Sequence, residues 1–250
     1  MPETHGSGVR IRYDVAGAGE PVVLIHGYSA SAQTNWRMSG CIDALAARYR
    51  VVAMDLRGHG RSEKPWRARD YSTRQLARDV LAVMDAEGIG RARIAGYSMG
   101  GMVALHLLLH MPGRVHAAVI GGMGAALPRR WDIRDTCVDC EDPGDGAAHA
   151  RRLSGRFLRA YLESFNPPAL VAAYRGVLRD AEPLQSEQLG QVSKPVLCIA
   201  GSRDHMCRSA RALAGEIPDA RFVLLRGESH LSALGNPLLR ESMLEFFASV

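Results

Sequence analysis

Short apolar runs separated by amphipathic stretches set the rhythm of this chain. Val9 to Val15 (VRIRYDV) alternates apolar and polar residues at the strand period of two. After a Gly-rich turn at Gly17 to Glu20, Pro21 to Ile25 (PVVLI) is apolar throughout, as a strand covered on both faces must be. Further buried runs follow at Tyr49 to Met54, Ala92 to Ala95, Val115 to Ile120, Pro195 to Ala200 and Arg221 to Leu225. Elsewhere the period lengthens: around Ile42 to Ala47, over Ser72 to Glu87, where Leu76, Val80, Leu81 and Met84 share one face, and over a closing helix from Pro237 to Ser249. Strands alternating with helices predict an α/β fold, a mostly parallel central sheet flanked by helices.

The rhythm breaks between about Ala125 and Gln191. No short apolar strand occurs there; instead Leu153, Phe157, Tyr161, Leu162 and Phe165 recur at helical spacing, Pro167 and Pro168 end that helix, and Ala169 to Leu178 begin another. A segment this long reads as a small helical cap at approximately 125–191, inserted within a single domain spanning 1–250. With 250 residues, 47% of them hydrophobic, one sizeable core is expected.

Charge and cysteines narrow the function classes. The net charge of +5 comes from arginines scattered among acidic residues, with no basic block, so no nucleic-acid partner is expected. Met1 to Arg10 lacks an apolar leader core, and no uncharged run approaches the ~18 residues of a membrane span, which predicts a cytoplasmic chain without a membrane partner. Nothing in the pattern sets an oligomeric state. Five cysteines (Cys41, Cys137, Cys140, Cys198 and Cys207) are an odd number and read as reduced thiols. Cys137 and Cys140 form C-x-x-C without a second pair or a histidine at ligand spacing, and read as free thiols or a local disulfide rather than a zinc site. No dinucleotide or phosphate-loop motif occurs, so neither cofactor nor metal is expected.

The chemistry concentrates at Gly96-Tyr97-Ser98-Met99-Gly100, a G-x-S-x-G placed directly between a strand and the helical stretch Met102 to His110. Such a turn displays the serine hydroxyl, the glycines admit close strand-helix packing, and the helix N-terminus favours negative charge beside the serine. With His26-Gly27-Tyr28 after an early strand and Asp55 to Ser62 (DLRGHGRS), three motifs stand in an order that resembles the α/β-hydrolase family over nearly the whole chain.

A serine hydroxyl needs a base, and of nine histidines His230 is chosen: it lies in G-E-S-H beyond the last strand and matches the position of that family's catalytic histidine. His26 and His59 sit in motifs that shape turns, and His106, His110 and His116 are too near Ser98 in sequence to fold back onto it. Asp204, in G-S-R-D after a strand, matches the family's usual acid, whereas the preceding strand ends in Gly121, Gly122, Met123 and Gly124 with no carboxylate. Asp55 reads as a turn stabiliser and Glu228 as a solvated loop charge. By the logic of the fold, the backbone NH groups of Tyr28 and Met99 form the oxyanion hole.

Trp36, Tyr97 and Met123 are candidate substrate-binding residues; the cap aromatics Trp131, Phe157 and Tyr161 read equally as cleft or core. The expected partner is a small molecule with an apolar portion. The resemblance is to small ester and enol-lactone hydrolases, which implies a serine hydrolase acting on a carboxylic ester or lactone through an acyl-enzyme. Two alternatives are a C–C bond hydrolase of ring-fission products and a ligand receptor on the same fold. The C–C hydrolases usually carry a tryptophan soon after the catalytic histidine, where this chain has Leu231, Ser232 and Ala233.

Overall fold

The apolar runs pair side by side. The computed structural model describes residues 2–125, 166–178 and 184–250. Its strands are β1 (Glu3–Gly6), β2 (Val9–Ala16), β3 (Pro21–Ile25), β4 (Arg50–Met54), β5 (Ala92–Tyr97), β6 (Val115–Gly121), β7 (Val196–Gly201) and β8 (Ala220–Leu225). They form one sheet in the order β1-β2-β4-β3-β5-β6-β7-β8. From β4 to β8 every pairing is parallel; β1 and β2 join antiparallel at one edge. Strand β1 has no apolar alternation and is held at the edge by its ladder to β2 and by a 2.8 Å ion pair from Arg12 Nε to Glu3 Oε2.

Helices α1 (Cys41–Ala46), α2 (Thr73–Ala86), α3 (Met99–His110), α4 (Pro167–Ala173, continued by a wider turn over Tyr174–Leu178), α5 (Ser186–Leu189), α6 (Cys207–Glu216) and α7 (Pro237–Ser249) cover the sheet. Ser72 caps α2, its side chain accepting from Gln75 N, which accounts for the start of that helix. Alternation along β3 divides the core: Val23 and Ile25 pack with residues of α2, α3 and α6, whereas Val22 and Leu24 pack with α1 and α7.

Pro167 and Pro168 were expected to precede the second cap helix; they instead form its first turn, where a missing N–H costs nothing, and Asn166 caps it by accepting from Ala169 N at 3.1 Å. Leu170, Ala172, Ala173, Val177 and Leu178 of this segment join the core on the α2–α3 side. Of the expected cap, residues 126–165 and 179–183, with Trp131, Phe157, Tyr161, Cys137 and Cys140, lie outside the described residues.

Among the described residues, the ion pair of Arg57 with Asp79 is wholly interior. Arg57 binds Asp79 through two hydrogen bonds (2.6 and 2.7 Å) and also donates to Asp70 O and Gly6 O, with side chains 2% and 0% exposed. It fastens the turn after β4 to α2 and β1. Burial pushes the Asp79 carboxyl up to about 6 against the opposing pull of Arg57.

Candidate active site

Parallel strands bring their C-terminal ends to one edge, and at β3 the chain order switches sides, leaving a crevice between the β3 and β5 loops. Ser98 follows β5 at once. Its φ of 53° and ψ of −117° are rare for a non-glycine residue. This conformation is held by Ser98 N donating to Gly121 O at 2.8 Å and by Ser98 O accepting from Gly101 N at 2.8 Å. The motif glycines are required by contact: a Cβ on Gly96 would stand 2.1 Å from Gly100 O, and one on Gly100 would stand 2.1 Å from Ile25 O. Met99 opens α3, so its N–H is among those that no helix carbonyl accepts.

The loop after β3 is built against this turn. A Cβ on Gly27 would lie 3.3 Å from Ser98 Cβ, so Gly27 lets the loop approach the serine. His26 is fully buried; its Nδ1 is 2.7 Å from Gly27 O, and its Nε2 accepts from Leu56 N at 2.9 Å, which makes Nδ1 the protonated nitrogen. Asn35 Oδ1 accepts from Gly27 N at 2.7 Å. Asp55 Oδ1 accepts from Ala32 N and Oδ2 from Arg61 N, while Ser62 Oγ donates to Asp55 O. His26 and Asp55 thus knit the turns after β3 and β4 together, as their motif readings require. Tyr28, beside Gly27, donates from its hydroxyl to Leu170 O at 3.0 Å and ties this loop to α4.

His59 packs 5.2 Å from His26 and 5.9 Å from Tyr28, ring to ring. Burial, then the neighbouring His26, holds its imidazole down to about 3, and burial likewise lowers His26. Both are neutral inside the fold.

Asp204 and His230 follow β7 and β8 and meet through Asp204 Oδ2 and His230 Nδ1 at 2.9 Å. Asp204 Oδ1 accepts from Met206 N at 2.8 Å. Burial alone would raise the Asp204 carboxyl, but the His230 hydrogen bond and charge, the Met206 amide and His205 together hold it below its usual value. The two loops are docked: Arg203 N donates to Glu228 O and Gly227 N to Ser202 Oγ, both at 2.8 Å. Glu228 does more than sit in solvent, since its carboxylate accepts from Ser232 Oγ and Asn236 Nδ2 and closes the loop that carries His230.

Ser98 and His230 line one cavity, together with Met99, Met102, Gly122, Met123, Leu178, His205 and Met206. Four methionines and a leucine make its walls apolar and adaptable. Met123, one of the candidate substrate-binding residues, lines this cavity. Two other candidates do not line this cavity. Trp36 is 2% exposed and Tyr97 is 2% exposed, and both pack in the core on the α1–α7 side of the sheet. The aromatic residues were expected in the cleft on chemical type alone, but the strand alternation turns Tyr97 the other way. Tyr97 instead donates from its hydroxyl to His230 O at 2.5 Å and lays its ring 5.4 Å from the imidazole, so it supports His230. Met102, Leu178, His205 and Met206 went unmarked in the sequence reading; helical spacing from Ser98 picks out Met102, whereas the others need the fold.

A family model described as alpha/beta hydrolase fold matches residues 20–135. A relative from Azorhizobium caulinodans that carries the name of a carbamate hydrolase, RutD, is 28% identical over 279 residues, spanning 100% of this chain and 99% of its own. Among solved structures, the N-acyl homoserine lactone degrading enzyme Est816 is 28% identical with a TM-score of 0.79, over 98% of this chain and 100% of that one. The esterase RhEst1 from Rhodococcus sp. ECU1013 is 28% identical with a TM-score of 0.78, over 99% and 98%.

Proposed function

Because this chain belongs to the alpha/beta hydrolase fold family, we propose that it is a serine hydrolase that cleaves a carboxylic ester or lactone through an acyl-enzyme. The observation that carries this reading is the placement of Ser98, on a strained turn, in one cavity with His230, whose Nδ1 is engaged by Asp204.

With Nδ1–H donating to Asp204, the lone pair of His230 resides on Nε2. That nitrogen takes the Ser98 proton as Oγ attacks the carbonyl carbon, and returns it to the leaving alcohol. Asp204 holds the tautomer and stabilises the imidazolium formed in between. The amides of Tyr28 and Met99 receive the oxyanion, the second reinforced by the α3 N-terminus. Water, deprotonated by His230, then releases the acid. The methionine-rich wall takes the apolar portion of the substrate, and the names of the esterase and lactone-degrading relatives point to the same bond classes.

The test is hydrolysis of p-nitrophenyl butyrate and a γ-lactone by the wild type and Ser98→Ala. The variant should keep its fold and lose more than about a thousandfold in kcat/KM. Turnover within about twofold of the wild type removes Ser98 from the nucleophile role.

A further inference from the structure

Asp204 is followed directly by a second imidazole. His205 lines the same cavity as Ser98 and His230. Its Nδ1 stands 3.5 Å from Asp204 Oδ1, while His230 Nδ1 stands 2.9 Å from Oδ2, so two imidazoles bracket one carboxylate. The rings lie 5.1 Å apart at 40°, and one ligand atom from each of the three residues lies within 4.8 Å of the others. The Asp204 side chain is fully buried whereas that of His205 is 41% exposed, giving the trio a fixed inner wall and a side open to solvent. His205 takes no part in the proposed acyl transfer. Two imidazole nitrogens and a carboxylate oxygen are a donor set suited to zinc-like cations, which bind such atoms at about 2.0–2.2 Å and leave a fourth position for water.

We propose that Asp204, His205 and His230 form an inhibitory site for a divalent transition cation of the zinc type, entered from the substrate cleft. The inhibition rests on the role of His230 as base. In the working state the imidazole proton is on Nδ1 and the lone pair is on Nε2. A cation bound at Nδ1 needs the lone pair there, so the single proton of the neutral ring moves through solvent to Nε2, and the Asp204 oxygen that had accepted from Nδ1–H binds the cation instead. Nε2 now carries a hydrogen and cannot accept one from Ser98. No oxidation state changes, and removal of the cation restores the first tautomer. Magnesium and calcium, which favour all-oxygen shells, do not substitute.

The experiment titrates zinc chloride against the wild type and His205→Ala, reading p-nitrophenyl butyrate hydrolysis and, separately, calorimetric binding. Both proteins also carry Cys137→Ser, Cys140→Ser and His110→Ala. These changes remove the thiol pair and the His106–His110 pair, whose tilted rings lie 4.3 Å apart on α3, as other zinc donors. Each variant's inhibition is expressed against its own zinc-free rate. The expected result is one calorimetric site and inhibition reversed by EDTA, unaffected by magnesium, with His205→Ala needing about tenfold or more zinc for the same effect. Equal zinc sensitivity in both proteins, or none in either, overturns the proposal. If the wild type hydrolyses no ester, it is the hydrolase reading that fails, and calorimetry still decides: a site lost in His205→Ala supports the cation site, and no site overturns it.

Discussion

Gly100→Ala tests how closely the turn that carries Ser98, the proposed nucleophile, is wedged against the end of β3 and the loop that carries the proposed oxyanion amide of Tyr28. The added Cβ would lie 2.1 Å from Ile25 O and 2.7 Å from His26 O, where ordinary van der Waals contact begins at 3.4 Å. Both obstacles are backbone, and Ile25 is paired on both sides, with Met54 of β4 and Gly96 of β5, so the sheet does not yield. The first turn of α3 must therefore back away by more than about 1 Å. Such overpacking costs about 1–3 kcal/mol, of which the better helix propensity of alanine returns up to about 1 kcal/mol. The larger effect falls on rate. The same displacement separates the Met99 amide from the Tyr28 amide and shifts Ser98, and a misplacement of about 1 Å costs on the order of a hundredfold. Urea unfolding gives the first quantity and kcat/KM for p-nitrophenyl butyrate the second. A variant within about threefold of wild-type kcat/KM would refute the wedge.

Arg57→Met should destabilise the protein by about 3–5 kcal/mol at pH 8, because it strands the buried Asp79 carboxylate, and by less at pH 5, where that carboxyl takes up a proton. Urea unfolding at both pH values checks this; an equal loss at each would contradict it. His59, held near 3 in the fold against ~6.5 unfolded, stays neutral while the unfolded chain gains a proton. Its stabilising contribution is full above ~6.5 and is lost as pH falls towards 3, by about 1.4 kcal/mol per pH unit. His26 shifts in the same direction and Asp79 in the opposite one. His59→Asn should therefore flatten the dependence of stability on pH between 6 and 4 by about one proton. Parallel slopes in wild type and variant would rule His59 out as the source.

Strands β3 to β7 were legible because each is buried along nearly its whole length and therefore reads as an apolar run, β8 because Phe222 to Leu225 is apolar although the strand is only partly buried, and α7 because Pro237 and its apolar spacing mark it. Strand β1 was not legible: an edge strand of Glu, Thr, His and Gly is specified by its partner Val9–Arg12 rather than by its own pattern. Ser98 stood out because it directly follows a strand of predicted position, and Asp204 and His230 because each lies in the loop beyond such a strand, at a position that matches the family resemblance. The cleft wall did not. Met206 and Leu178 reach it from segments remote in sequence, and Trp36 and Tyr97 are drawn into the opposite core by where the helical turn Gln33–Arg37 and β5 place their side chains. His205 carries no motif of its own, and only the fold shows that it lines the cavity beside Asp204.

The central claim is that Ser98 is a nucleophile activated by His230. Fluorophosphonate labelling, read by intact mass and peptide mapping on the wild type, Ser98→Ala and His230→Ala, tests it most directly. A single adduct on Ser98 is expected in the wild type and none in either variant. A folded wild type that takes no label, or a label that persists in Ser98→Ala, would contradict it.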